Sequence, residues 1–298
     1  MVSLSHPDWR DHLDGLIAIA SEAGNVARSL FEAQARGEDV GRRVKADSSP
    51  LTEADRRAHQ IICDGLARLT PGLFVVSEED APEPAEGQSG RGAAAIEGRA
   101  DRTADDRFWW LVDPLDGTRE FVSGHPEFTI NIALMLADRP VFGIVSTPML
   151  GSHHWGAPGK GAWMEDAQGR RQIRCAALPS RSANGDFQRP LRILASRQHL
   201  TPATEAWIAG QQPHELHRYG SSLKFCRIAE GQGDCYPRLG PTAPWDTAAA
   251  QAVVEGAGGH VVIAGGLPLR YDGSRALNPH FLVLGDSSLC ERPPALPP

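Results

Sequence analysis

Cysteine is scarce and scattered. The chain has five, at positions 63, 175, 226, 235 and 290, an odd number with no Cys-x-x-Cys pair, which reads as reduced thiols and neither a zinc site nor a disulfide framework. Basic charge is also short: Lys and Arg number 30 against 37 Asp and Glu, for a net charge of −7. That balance argues against nucleic acid as a partner, although bound metal ions can still reverse the local sign for a small anionic substrate. No apolar run approaches membrane-spanning length, so no integral membrane segment is expected. The first residues lack a basic segment followed by an apolar one, so the expected location is cytoplasmic. Neither Gly-x-x-x-x-Gly-Lys-[Ser/Thr] nor Gly-x-Gly-x-x-Gly occurs, and no repeat of fixed period is visible.

What remains is ordinary globular composition, 41% hydrophobic and 22% charged over 298 residues, enough for one large domain or two modest ones. The organising stretch is Trp109-Trp110-Leu111-Val112-Asp113-Pro114-Leu115-Asp116-Gly117-Thr118. It begins as a buried strand and ends in two acids separated by three positions across a proline-stiffened turn. Two such carboxylates can converge on one point, with the Leu115 carbonyl as a third hard oxygen donor between them. Oxygen-only ligands suit Mg²⁺.

Apolar residues from Leu13 to Leu30 recur at three- and four-residue steps, predicting an amphipathic helix over about 8–35. Lys45-Ala46-Asp47-Ser48-Ser49-Pro50 reads as a loop. Thr52 opens a second helix that ends before Pro71-Gly72, and on spacing alone Asp55 is its capping partner. Phe74–Ser77 is a short strand that again stops at acids, Glu78-Glu79-Asp80. Residues 81–107, rich in Gly, Pro and charge with Ile96 as a single large aliphatic, read as a flexible insertion. A hairpin follows at 128–146. His153 and His154 point to opposite faces of their strand and so form no metal pair. A polar linker at about 179–190 separates an N-terminal half, 1–180, from a C-terminal half, 190–292. In the latter, strands are expected at 191–196 and 235–239, with a short helix near 201–209. Ser221 and Ser222 are expected to cap the helix carrying Phe225, and Asp246 to sit in the first turn of the helix over 245–255.

Four motifs now stand in order: Val76-Ser77-Glu78-Glu79, Asp113-Pro114-Leu115-Asp116-Gly117-Thr118, Gly220-Ser221-Ser222-Leu223-Lys224 and Trp245-Asp246-Thr247-Ala248-Ala249. Together they resemble the inositol monophosphatase superfamily of Mg²⁺-dependent, lithium-sensitive phosphatases. Longer matches at Lys45–Pro50, Phe128–Leu134 and Tyr236–Thr242 resemble its branch acting on 3'-phosphoadenosine 5'-phosphate. The same fold also serves inositol phosphates, fructose 1,6-bisphosphate and histidinol phosphate. The resemblance implies a five-layered α/β/α/β/α sandwich and a small phosphorylated substrate. It implies that Glu78, Asp113, the Leu115 carbonyl, Asp116 and Asp246 hold two or three Mg²⁺ ions, and that Gly117 and Thr118 meet the phosphate. Asp55 and Thr118 would orient the attacking water with Glu78 close by, which displaces the plain-cap reading of Asp55. Ser221, Lys224 and Arg238 would face the nucleotide.

Overall fold

The computed structural model describes residues 8–39, 41, 43–44, 50–80, 108–179, 188–198, 200–211, 213–272 and 277–286. The expected loop at 45–49, the insertion at 81–107 and residues 180–187 of the linker lie outside the described residues.

Helix α1 (Trp9–Ala35) starts where the Asp8 carboxylate accepts the Arg10 amide, and it buries a stripe of Leu16, Ala20, Ala23 and Ala27. A two-residue ladder joins β1 (Arg43–Val44) to β2 (Pro50–Leu51). Helix α2 (Glu53–Leu69) is capped by Thr52 and buries Ala58, Ile62 and Leu66. Next come β3 (Val75–Ser77), β4 (Phe108–Asp116), the short helix α3 (Thr118–Val122), β5 (Thr129–Leu136), β6 (Arg139–Thr147), β7 (Ser152–Ala157), β8 (Gly161–Asp166) and β9 (Gly169–Ile173). These seven strands form one sheet in chain order, parallel at β3–β4 and antiparallel elsewhere.

The second half contributes β10 (Leu191–Ser196), α4 (Pro202–Ala209), β11 (His214–Tyr219), α5 (Leu223–Ala229), β12 (Cys235–Arg238), α6 (Ala248–Gly256), β13 (His260–Val262) and β14 (Phe281–Leu284). Its strands form a five-stranded sheet in the order β11-β10-β12-β14-β13.

Packing follows from which faces are apolar. Leu16, Ala20 and Ile62 of α1 and α2 meet Trp110, Ile132 and Ile144 on one face of the large sheet. Trp109, Leu111 and Val145 on its other face meet Phe225, Ile228 and Val253 of α5 and α6, which also cover Val261 and Val283 of the small sheet. Trp207 and Ile208 of α4 close the far side against Ile193 and Leu282. This is the five-layered α/β/α/β/α sandwich. Among the described residues no helix is long and apolar enough to cross a membrane.

Two details set the site. Strand β4 runs on through Pro114 to Asp116, with a bulge between the pairs Asp113–Asn131 and Asp116–Thr129. The proline, which has no N–H to donate, thus falls where the ladder is already interrupted. Helix α6 also lies backbone-to-backbone on β6: a Cβ on Gly143 would stand 2.1 Å from the Ala249 carbonyl oxygen. That close approach holds the residues leading into α6 against the end of β4.

Candidate active site

The bulge turns both β4 acids toward one point. Asp113, Asp116 and Asp246 each bring a carboxylate oxygen within 4.8 Å of the others. Asp113 is 1% exposed, and its Oδ1 accepts the Leu115 amide at 3.0 Å. Asp246 is not in the first turn of α6. It ends a separate 3₁₀ turn, Pro244–Asp246, and its Oδ2 accepts the Ala243 amide at 2.9 Å. Burial, then the neighbouring Glu78, Asp116 and Asp246, pushes the Asp113 carboxyl well above the usual carboxylate range. Burial with Asp116 and Glu78 pushes Asp246 up to about 8. Buried carboxyls raised by acidic neighbours call for positive charge, and a hard divalent cation supplies it. The donors are all oxygen, so the residues fit Mg²⁺.

Asp55 serves two purposes at once. Its Oδ2 accepts from the Thr52 amide at 2.7 Å and the Thr52 hydroxyl at 2.5 Å, completing the capping box. Its Oδ1 accepts from Thr118 Oγ1 at 3.0 Å, and that hydroxyl is also 3.1 Å from the Leu115 carbonyl. Burial pushes Asp55 up to about 6 against the Thr52 hydrogen bonds, with Glu79 and Glu78 adding to the rise. The cap and the contact with Thr118 therefore coexist in one carboxylate. Gly117, with φ of 93°, makes the left-handed turn between Asp116 and Thr118, where a side chain would press on the Glu127 carbonyl.

The expected serine cap is absent. Ser222 stands at the N-cap of α5 without a side-chain hydrogen bond to the helix. Ser221, at φ of 52°, donates its hydroxyl to Asp116 Oδ2 at 2.7 Å, and the Ser222 amide reaches the same oxygen at 2.6 Å. Thr129 Oγ1 joins them at 3.3 Å and pairs with the Ser221 hydroxyl. Ser222 Oγ donates to Asn131 Oδ1 at 2.7 Å. The Ser221 hydroxyl and the Ser222 amide thus fix Asp116, and the Ser222–Asn131 bond ties the segment before α5 to the large sheet.

Asp116, Thr118, Ser221, Lys224, Arg238 and Asp246 all line one cavity of about 510 Å³. Asp55 communicates with it through Thr118, and Asp113 through the acid cluster. The Lys224 ammonium donates to the Ser221 carbonyl at 2.6 Å and stands 5.1 Å over the Tyr236 ring. Burial, with Arg238 nearby, draws its pKa down to about 8 despite Asp116, Glu120 and Glu127. Arg238 donates to the Pro241 carbonyl at 2.6 Å, while its buried Nε has no hydrogen-bond partner among the described residues. One clamp escaped the sequence reading. Glu127 accepts from Arg197 at 2.8 and 3.1 Å and from the Gly220 amide at 2.7 Å. Nothing in a Pro-Glu-Phe stretch marks such a long-range partner.

Carboxylates that call for a cation, beside donors suited to phosphate, place the protein among the layered α/β metallophosphatases. The chain belongs to the inositol monophosphatase family, whose model matches residues 8–289. It is 40% identical over 272 residues to the 3'(2'),5'-bisphosphate nucleotidase CysQ of Escherichia coli K12, covering 91% of this chain and 98% of that protein. The solved CysQ of Bacteroides thetaiotaomicron superposes with a TM-score of 0.73 at 33% identity, covering 94% of this chain and 99% of that one. A Thermotoga maritima inositol monophosphatase gives 0.67 at 22% identity, covering 92% of each chain, a likeness of fold alone.

Proposed function

We propose that this protein is a Mg²⁺-dependent phosphatase that removes the 3'-phosphate of 3'-phosphoadenosine 5'-phosphate, giving AMP and phosphate. The observation that carries the reading is a cluster of three carboxylates, two of them raised by burial and acidic neighbours, beside a cavity that also presents Lys224 and Arg238. The similarity to the two CysQ proteins supports the choice of substrate.

Glu78, Asp113, the Leu115 carbonyl, Asp116 and Asp246 would hold the ions, two or three in number. Bound Mg²⁺ supplies charge neutralisation and a lowered pKa for the attacking water. The chain's own residues do the aiming. Thr118 gives its proton toward Asp55 or the Leu115 carbonyl, so its oxygen lone pairs face the cavity and accept from a water. Water attacks the 3'-phosphorus, the bond to the ribose oxygen breaks, and a proton ends on that oxygen. The amides at Gly117 and Thr118 meet the phosphate oxygens. Ser221, held by Asp116, and Lys224 border the nucleotide, and Arg238 offers a rigid donor fork to a second phosphate or a base. A cavity of about 510 Å³ lies in the ordinary range for a ligand of this size.

Arg238→Glu tests the substrate reading. Loss of a charge-assisted contact should raise KM for 3'-phosphoadenosine 5'-phosphate about tenfold or more. Hydrolysis of a minimal aryl phosphate should change little, because the acids are untouched. Equal losses on both substrates would make Arg238 a structural residue.

A further inference from the structure

On the two elements that carry Asp55 and Glu78, α2 and the turn after β3, a second group has different donor chemistry. His59 and Cys63 stand one turn apart on α2, and Asp80 ends the 3₁₀ turn Glu78–Asp80. One ligand atom from each of the three lies within 4.8 Å of the others. His59 Nε2 is 3.5 Å from Asp80 Oδ1. Cys63 Sγ is 4.0 Å from that nitrogen and 3.6 Å from Nδ1. A tetrahedral ion with Zn–S near 2.3 Å and Zn–N near 2.0–2.1 Å separates its ligands by about 3.3–3.6 Å. The histidine–aspartate edge already has that length, whereas the thiol, nearer Nδ1 than Nε2, lies beside the ring, so Cys63 turns about χ1 to join an ion on Nε2.

The imidazole is also aimed. Its Nδ1 lies 2.9 Å from the hydroxyl of Ser77, a fully buried residue at the end of β3. A hydrogen bond on one ring nitrogen is what turns the other toward a metal. Burial, with Asp80 and Asp64, pushes the Cys63 thiol up to about 12, so it holds its proton at neutral pH and is a poor nucleophile. A cation binding there expels that proton to solvent. A helical His-x-x-x-Cys pair carries no Cys-x-x-Cys signature, and Asp80 joins it only through the β3 turn.

We propose that His59, Cys63 and Asp80 form a binding site for a divalent cation of the zinc class, with water completing the tetrahedron, separate from the all-oxygen cluster. Asp55 lies one turn before His59 on α2, and Glu78 opens the turn that Asp80 ends. An ion here ties α2 to that turn and so clamps the two elements carrying those acids. This consequence rests on the roles proposed for Asp55 and Glu78, whereas the site itself does not.

The test is a Co²⁺ titration of the full chain with Mg²⁺ saturating the oxygen cluster. Cobalt bound by thiolate gives a near-ultraviolet charge-transfer band. The band should saturate at one ion per chain, disappear on addition of Zn²⁺, vanish in Cys63→Ser and persist in Cys175→Ser. Asp80→Asn, at an exposed position, should keep the fold and weaken the apparent affinity about tenfold or more. A native chain without the band, a band surviving in Cys63→Ser, or undiminished affinity in Asp80→Asn would each overturn the site. Phosphate release plays no part in this readout, so failure as a phosphatase and failure of this site remain distinguishable.

Discussion

Asp113→Asn should make the metal-free protein more stable while removing most of its turnover. The three acids stand within 4.8 Å, where two unit charges at an effective dielectric near 20 repel by about 3.5 kcal/mol. Taking up a proton avoids that repulsion. For an acid of ordinary pKa near 3.9, it costs at most about 4 kcal/mol at pH 7. Asparagine carries no charge, and its carbonyl oxygen can still accept the Leu115 amide. In EDTA at pH 7 the variant should therefore gain about 2–4 kcal/mol, or roughly 3–6 °C in Tm for a chain of this size. The sign follows from the raised folded-state pKa of Asp113. Its penalty is absent below the unfolded pKa and grows as pH rises, so the gap between parent and variant should close toward pH 4. Mg²⁺ should raise the Tm of the parent and raise that of the variant much less. Differential scanning calorimetry with and without Mg²⁺ reads all of this. A variant less stable than its parent in EDTA at pH 7 would show that the Asp113 carboxylate serves the fold and not a cation.

Gly143→Ala would put a Cβ 2.1 Å from the Ala249 carbonyl, forcing α6 off the sheet and moving Asp246 from its partners. A shift of about 1 Å in a catalytic group can lower kcat on the order of a hundredfold. Full turnover and unchanged Tm would show the contact to be slack. Asp234 is buried, which disfavours its charge, yet hydrogen bonds from Arg189 and Arg192 hold its pKa down to about 2. Its contribution, on the order of 2 kcal/mol, is present above pH 4 and lost as pH falls toward 2. Asp234→Asn should accordingly lower urea stability at pH 7 and match the parent near pH 2, and equal stability at both pH values would contradict the pairing.

Sequence reading succeeded where burial is one-sided and failed where tertiary partners decide. Helices α1 and α2 announce themselves because Leu16, Ala20, Ala58 and Ile62 share faces at helical spacing. The β5–β6 hairpin shows in its alternation and its Ala137–Pro140 turn. Strand β11, reading His-Glu-Leu-His-Arg-Tyr, lies at a sheet edge with its side chains largely exposed, so no apolar pattern marks it. Beyond the strand assumed at His153–His154, β8 and β9 went unread because Ala162 is small and β9 is an edge strand exposed along most of its length, which leaves a weak hydrophobic signal. His153 and His154 do part to opposite faces, one bonding Ser21 and Ser146, the other Glu230. At the site, the acid pair of β4 was legible from its spacing, and Asp246 from the family motif. The serines were misread because propensity speaks for a cap, whereas Asp116, about a hundred positions away, takes the Ser221 hydroxyl and the Ser222 amide, and Asn131 takes the Ser222 hydroxyl. The Glu127–Arg197 clamp joins two loops that only the folded sheets bring together.

Phosphate release from 3'-phosphoadenosine 5'-phosphate, compared with inositol 1-phosphate and fructose 1,6-bisphosphate in Mg²⁺ and again in excess EDTA, tests the central claim most directly. AMP and phosphate should form from the nucleotide at a kcat/KM well above those of both sugar phosphates, and all three activities should be lost in EDTA. Undiminished turnover in EDTA would contradict the metal cluster, and preference for inositol 1-phosphate would contradict the nucleotide assignment.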